Sequence, residues 1–153
     1  MREWIPVPGT TKARLLEAAV TEFAARGFDA VGVTEVAAAA GVTVGSLYHH
    51  FGSKPALYAL VRTDIERRLL DRMEGARAGD ADLATTLGVG FDYLVRAGFA
   101  RLLAEPREGD PVEGFIATHS DLPMRGVLLA AAWRGALLQE DTAAARAALL
   151  ALA

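Results

Sequence analysis

Apolar residues recur along most of the chain at the spacing of an amphipathic helix, and no stretch alternates apolar and polar residues as a strand does. The first apolar face consists of Leu15, Ala19 and Phe23. We therefore predict helix 1 over about residues 11–26, with Thr10 or Thr11 as N-cap and Gly27 as the residue that ends it. Phe28 is then placed to fold back onto Phe23. The pattern predicts an all-α fold.

Two short helices are predicted directly after helix 1. Thr34 is placed to cap a helix over residues 35–40, and Thr43 is placed to cap another over residues 44–51. Gly41 separates them where the chain must reverse in the left-handed region. Two short helices joined in this way and packed on a longer one have the geometry of a helix-turn-helix, whose second helix enters the major groove of DNA.

A long helix 4 and a strongly apolar helix 5 come next. Ser53 caps helix 4, which is predicted over residues 54–77, and Asp82 precedes helix 5. We expect Asp92 and Arg96 to form an outward-facing ion pair with i,i+4 spacing. The apolar stripe of helix 5 is predicted to contain Leu87, Phe91, Leu94, Gly98 and Leu102.

The last third of the chain is predicted to contain a loop and two further helices. Residues 105–121 are rich in proline, glycine and acidic residues, so we expect a loop with at most one short helix near residues 112–118. Asp121 is placed to cap a helix over residues 122–139, and Asp141 or the threonine after it to cap a final helix.

Composition supports this organisation and limits the function classes. The chain has 153 residues, 52% of them hydrophobic, and it contains no cysteine, which excludes disulfides and thiolate metal sites. The net charge of −3 is uneven, because residues 1–62 carry +1 and residues 63–153 carry −4. A polyanion would therefore meet the first half of the chain. With no apolar leader and no membrane span in the pattern, we expect a cytoplasmic protein.

The sequence resembles the TetR family of bacterial transcriptional repressors over about residues 11–62. The most distinctive stretch reads Ser46-Leu47-Tyr48-His49-His50-Phe51, followed by Ser53-Lys54. The resemblance implies a three-helix DNA-binding domain with a helix-turn-helix over residues 1–53. It also implies that a long helix joins this domain to a shortened helical effector and dimerisation domain over residues 54–153.

The candidate DNA contacts lie on the second short helix and beside it. Leu47 and Phe51 are four residues apart and are predicted to face the core. The residues left for the bases are Val44, Gly45, Ser46, Tyr48 and His49. By resemblance, the phosphate contacts fall to Thr34, Thr43, Tyr48 and Lys54. Helix 3 has no arginine or glutamine for bidentate base contacts, so we expect modest or shape-dependent base specificity.

Double-stranded DNA and a second copy of the chain are the expected partners, because one recognition helix reads too few bases for genomic specificity. The predicted dimer interface consists of Val127, Leu128, Ala131, Gly135, Leu138, Ala144, Ala148 and Leu149. A small hydrophobic effector is expected to release the protein from a palindromic operator. Its predicted pocket consists of Leu69, Met73, Phe91, Val95, Phe99, Phe115, His119, Met124 and Trp133, with space left at Gly88, Gly90 and Gly98.

Two alternatives remain open at this point. The same residues suit a ligand-independent helix-turn-helix module that binds DNA or protein, and composition alone favours a filled core over a ligand cavity for the pocket residues. An enzyme would need convergent titratable groups, which the sequence does not contain. His49 and His50 point about 100° apart on a helix and do not chelate one ion. We therefore expect no catalytic site, metal or cofactor.

Overall fold

A computed structural model describes residues 7–153, and in this range the chain forms nine α-helices and no β-strand. The helices are α1 (Thr11–Arg26), α2 (Val33–Ala39), α3 (Val44–Phe51), α4 (Lys54–Ala78), α5 (Leu83–Ala97), α6 (Ala100–Ala104), α7 (Pro111–Thr118), α8 (Pro123–Leu137) and α9 (Thr142–Leu152). The predicted all-α fold is confirmed. The chain divides within α4 into two compact units. The first ends at Thr63, and the second runs from Asp64 to Ala153. Residues 1–6 of the predicted first domain lie outside the described residues.

In the N-terminal unit, α1, α2 and α3 pack against one another around an apolar core. Its most buried side chains include Leu15, Phe23, Val36, Leu47 and Leu57. Thr10 caps α1, since its hydroxyl oxygen accepts a hydrogen bond from the Ala13 amide at 3.2 Å. The bounds predicted for the first and third helices are confirmed. Local capping and a buried stripe are sufficient to define these two helices.

The start of α2 differs from the prediction. This helix begins at Val33, and Thr34 lies inside its first turn, so the prediction that Thr34 caps the helix is wrong. Gly32 holds the N-cap position instead, and the Glu35 carboxylate accepts a hydrogen bond from its amide at 2.7 Å. A glutamate three residues after the N-cap is long enough to reach back to it. The cap is therefore supplied from within the helix.

Two predictions for the fifth helix are corrected. Gly98 ends α5 in the left-handed region at φ +75°, and Leu102 belongs to the separate helix α6, so the two do not continue the α5 stripe. The Asp92 carboxylate does not pair with Arg96, which donates to the Asp92 backbone carbonyl. It instead accepts hydrogen bonds from Arg146 of α9, at 2.7 and 3.0 Å.

Residues 105–121, which are predicted to form a loop with at most one short helix, contain the short helix α7. Asp110 caps this helix by accepting hydrogen bonds from the amides of Val112 and Glu113, at 2.9 and 3.3 Å. The other carboxylate oxygen of Asp110 lies 2.7 Å from Nη2 of Arg134 in α8. Both side chains of this ion pair are almost fully buried. The pair fixes the start of α7 against α8.

The two C-terminal helices agree with the prediction in position but only partly in their caps. Asp121 does not cap α8, because its carboxylate accepts hydrogen bonds from the Leu122 amide and the Arg125 guanidinium. Asp141 caps α9 as predicted, accepting from the Ala144 amide at 2.9 Å. Among residues 7–153, no helix combines the length and apolar character needed to cross a membrane.

Candidate nucleic-acid interface

The turn before α3 and the cap of α3 have the predicted geometry. Gly41 has φ +66°, a conformation that L side chains rarely adopt, and this allows the reversal between α2 and α3. Thr43 caps α3 by accepting a hydrogen bond from the Ser46 amide at 3.2 Å. Leu47 and Phe51 are buried in the core, as predicted. The remaining faces of α3 are thereby directed away from the core.

The candidate DNA contacts all lie in the N-terminal unit, but their exposure differs. The exposed ones are Thr34, Thr43, Gly45, Tyr48 and His49. The half-buried ones are Val44, Ser46 and Lys54. Val44 and Ser46 are only half-buried and stay candidates, although α3 packs on both α1 and α2. Gly45, Tyr48 and His49 share one face through their i, i+3 and i+4 spacing.

Lys54, the first residue of α4, packs its side chain against a cluster of aromatic rings. Its Nζ lies 4.2 Å from the centroid of the Phe28 ring, within the range of a cation–π interaction. Phe28 stacks on Phe23, with ring centroids 6.2 Å apart, and Tyr58 of α4 packs against both rings. The contact between Phe28 and Phe23 was predicted. The cation–π contact between Lys54 and Phe28 was not predicted, because no local pattern relates residues so far apart in sequence.

A chain of exposed ion pairs joins α1 to the start of α2. Arg26 donates to Glu22 at 2.8 Å and to Glu35 at 2.9 Å. The hydrogen bond from Arg26 and the one from the Gly32 amide hold the pKa of Glu35 below its usual value. The hydrogen bond between Arg26 and Glu35 also raises the pKa of Arg26. Arg26 therefore offsets part of the negative charge of Glu22 and Glu35, which would repel a phosphate.

The structure separates the predicted effector-pocket residues into three groups. Leu69, Met73, Phe91 and Trp133 are fully buried in the C-terminal unit. The half-buried members are Val95, Phe99, Phe115 and His119. Met124 is 68% exposed, so it does not line an interior cavity of this chain, contrary to the prediction.

The space expected at two of the α5 glycines is occupied. A Cβ atom at Gly90 would lie 3.0 Å from both Leu69 Cδ1 and Met73 Sδ, and one at Gly88 would lie 3.1 Å from Arg146 Nη2. Gly98 is the exposed C-cap of α5, where a Cβ atom would meet nothing within 4 Å. The expectation of room is therefore wrong at Gly88 and Gly90. These two glycines allow close packing of neighbouring side chains.

His119, one of the predicted pocket residues, forms a hydrogen bond with the helix that it ends, α7. Its Nδ1 lies 2.8 Å from the carbonyl oxygen of Phe115, and the two rings are 4.3 Å apart. Ser120 similarly donates to the Ile116 carbonyl at 2.7 Å. The part of the chain that the structure describes contains no group of three His, Asp or Glu side chains placed to hold a metal ion.

Most of the predicted dimer-interface residues form an exposed apolar face. The exposed members are Val127, Leu128, Ala131, Gly135, Leu138, Ala144 and Ala148. Leu149 is only 2% exposed, so it belongs to the core of its own unit, and its assignment to the interface is corrected. It lies at the base of a shallow groove of about 230 Å³ between α8 and α9. The two helices thus present a continuous small-residue and leucine surface.

The capped turn, the buried inner face of α3 and its polar outer face define a helix-turn-helix protein. Residues 15–61 match the family model described as bacterial regulatory proteins, tetR family. Over 79 residues the chain is 38% identical to the HTH-type transcriptional repressor KstR2 of Mycolicibacterium smegmatis, a match that covers 52% of this chain and 37% of that protein. The chain thus matches less than half the length of that relative.

Solved structures share the fold over nearly the whole chain. A transcriptional regulator from Rhodococcus sp. Rha1 has a TM-score of 0.73 at 22% identity and 94% coverage of both chains. A TetR-family transcriptional regulator from Pectobacterium atrosepticum has a TM-score of 0.72 at 21% identity, with 92% of this chain and 89% of that chain covered. At these identities the likeness concerns the fold alone. Residues 15–61 are thus similar in sequence to the TetR family, and the fold of the chain is similar to that of a solved TetR-family regulator.

Proposed function

We propose that the protein is a DNA-binding transcriptional regulator and that α3 is its recognition helix. The observation that carries this proposal is the exposed face of α3 formed by Gly45, Tyr48 and His49 on a helix whose opposite face is buried. A glycine allows close approach of the backbone, while Tyr48 and His49 supply hydrogen-bonding groups on ring systems. Such a face suits the major groove, which is wide enough to admit one helix.

Phosphate contacts would come from both ends of α3. Thr43 is exposed at its N-terminus, and Lys54 follows its C-terminus in the first turn of α4. Phe28 holds the Lys54 ammonium in place, which lowers the entropy lost when it meets a phosphate. Thr34 and Tyr48 add exposed hydroxyl groups nearby in sequence. These contacts would position the helix, and the α3 face would then read the bases.

Repression is the proposed direction of control, and a palindromic site is the proposed target. The repressor name belongs to the relative KstR2, and we extend it to this chain on the strength of the helix-turn-helix match. A palindrome requires a two-fold dimer that places its recognition helices about 34 Å apart. We assign dimerisation to the exposed face of α8 and α9, because four small residues there permit close helix packing.

The DNA proposal is tested by selection of bound sequences from random duplexes, followed by titration of the selected duplex. Lys54→Ala is expected to weaken binding about equally for all sequences and to lower the salt slope by about one unit per protomer. Changes at Val44 or Ser46 are expected to alter the preferred bases. Arg101→Ala removes an exposed charge from α6 and serves as the matched control. Failure to enrich any motif with the parent protein would refute the proposal.

The dimer is tested by placing a charge in the centre of the α8 face. Ala131→Glu is expected to give monomers in sedimentation experiments at micromolar concentration, because a carboxylate would be buried without a partner. Ala97→Glu, at an exposed position at the end of α5, is the control and should leave the oligomeric state unchanged. A monomeric parent protein at the same concentration would contradict the assignment.

Release by a hydrophobic effector is the less supported of the two modes of control. The packing of Leu69 and Met73 into the space beside Gly90 favours the alternative in which DNA binding requires no small molecule. Thermal-shift screening with hydrophobic compounds, followed by DNA competition, distinguishes the two. A compound that stabilises the protein and displaces DNA would support effector control, whereas the absence of such compounds would support the ligand-independent regulator.

A further inference from the structure

Arg14 of α1 carries a positive charge beside the turn of the helix-turn-helix. Its Nη1 lies 3.9 Å from the point that a Cβ atom at Gly41 would occupy. The turn continues directly from Gly41 into Thr43 and the N-terminus of α3. Neither composition nor motif pointed to Arg14, since its position on α1 is remote in sequence from the turn.

The Arg14 guanidinium is exposed and has no hydrogen-bond or ion-pair partner among residues 7–153. Arg14 and Glu17 both line a groove of about 330 Å³ between α1 and the end of α2, and Glu17, which lies one turn further along α1, forms no ion pair with Arg14. Arg26 of the same helix, by contrast, is engaged by two carboxylates. Arg14 is therefore available to an external anion, whereas Arg26 is already neutralised.

The positions of Arg14 and Lys54 relative to α3 are complementary. Arg14 lies beside the turn that leads into α3, and Lys54 lies three residues beyond its end. An eight-residue helix is about 12 Å long, which is close to the width of the DNA major groove, about 12 Å. Cations at the two ends of such a helix match the two phosphate strands that border the groove.

We propose that Arg14 is a further DNA-backbone contact, which binds a phosphate on the strand opposite to the one bound by Lys54. This inference rests on the proposed DNA-binding function and adds a positioning residue to it. Gly41 has no side chain to shield the Arg14 guanidinium, so a phosphate can approach the turn closely. The contact fixes the register of α3 in the groove and carries no base preference of its own.

The inference is tested by titrating the selected duplex with four proteins at several salt concentrations: the parent, Arg14→Ala, Arg14→Lys and Arg101→Ala. Arg14→Ala is expected to weaken binding by about tenfold. The salt slope should fall by about 0.9 for each lost phosphate contact, and therefore by about two for a dimer on a palindrome. Arg14→Lys should keep most of the slope. Arg101 is exposed and unpaired within the described range, so Arg101→Ala should leave both the DNA affinity and the salt slope unchanged.

A scan with single neutral methylphosphonates locates the contact. The parent should be weakened at one phosphate to which Arg14→Ala is insensitive, and Lys54→Ala should lose sensitivity at a phosphate on the other strand. A merely structural role would lower affinity without changing this pattern, and thermal melts should show the same stability for Arg14→Ala as for the parent. Equal behaviour of Arg14→Ala and Arg101→Ala would overturn the inference while leaving the Lys54 result intact. A parent protein without any preferred duplex would overturn the proposed function as well.

Discussion

The two units of the chain are stabilised by interactions of very different sequence range. In the N-terminal unit the caps are local, since Thr10, Thr43 and Ser53 each bind an amide three residues ahead. In the C-terminal unit the main ion pairs join residues 24 to 54 positions apart, at Asp110–Arg134 and Asp92–Arg146. Local caps also occur in the second unit, at Asp82, Asp110 and Asp141, so the comparison teaches that the second unit is distinguished by long-range ion pairs, which form only after the helices have packed.

The largest expected effect comes from breaking the buried ion pair of the second unit. Asp110→Ala removes the cap of α7 and leaves the buried Arg134 guanidinium with Glu113, at 3.3 Å, as its only ion-pair partner among residues 7–153. Removal of one partner of a buried ion pair costs about 3–5 kcal/mol. We expect a loss of that size in the free energy of unfolding, measured by urea denaturation.

Asp121→Ala provides the matched control for this experiment, because the Asp121–Arg125 pair lies on the surface. Exposed ion pairs contribute at most about 1 kcal/mol. A double variant, Asp110→Ala with Arg134→Met, should recover part of the loss by removing the unpaired charge. Similar losses for Asp110→Ala and Asp121→Ala would mean that the long-range pair does not stabilise the second unit more than a local surface pair.

The next effect concerns the close approach of α7 and α8 at Gly126. A Cβ atom at Gly126 of α8 would lie 2.4 Å from the Cα of Ala117 in α7, so Gly126→Ala forces the two helices apart. Overpacking of this kind costs about 1–3 kcal/mol. Gly114→Ala is the control, because a Cβ atom there meets nothing within 4 Å. Gly114→Ala should stabilise α7 by about 0.5–1 kcal/mol. In thermal melts we therefore expect Gly126→Ala to lower the melting temperature and Gly114→Ala to raise it.

A smaller effect tests the local character of the first unit. Thr43→Ala removes the cap of α3 and should cost about 1 kcal/mol of stability. Thr34→Ala should change stability by less than about 0.5 kcal/mol, because Gly32 and not Thr34 holds the N-cap position of α2. Both variants are expected to weaken DNA binding. Equal destabilisation by the two changes in urea titrations would show that Thr34 has a capping role.

The smallest effect is the pH dependence of the pair between α1 and α2. The pKa of Glu35 is lowered from 4.5 by the Arg26 hydrogen bond, so this carboxylate stabilises the fold above pH 4.5. That contribution is lost as the pH falls through the lowered pKa. Glu35→Gln should therefore show a shallower loss of thermal stability than the parent between about pH 5 and pH 3. Parallel pH profiles would argue against a stabilising role for the pair.

The sequence predicted the helices and most of the caps of the first unit. Caps at Thr43 and Ser53, the reversal at Gly41 and the burial of Leu47 are all short-range consequences of residue type, and the structure confirms each one. The prediction failed at α2, where a glutamate three residues into the helix supplies the hydrogen bond expected from a threonine. The assignment of the exposed α3 residues to DNA stays a prediction.

By itself the sequence determined where nearly all the helices lie, because periodicity, caps and helix-ending glycines act within a few residues. Only the tertiary structure decided which charged side chains are buried and beside which glycines the space is occupied by other side chains. Asp92 binds Arg146 instead of Arg96, Phe28 supports Lys54, and Gly90 accommodates neighbouring side chains rather than a ligand. Each of these outcomes depends on the approach of segments distant in sequence. The energy of such contacts is set by packing and desolvation, which no local pattern specifies.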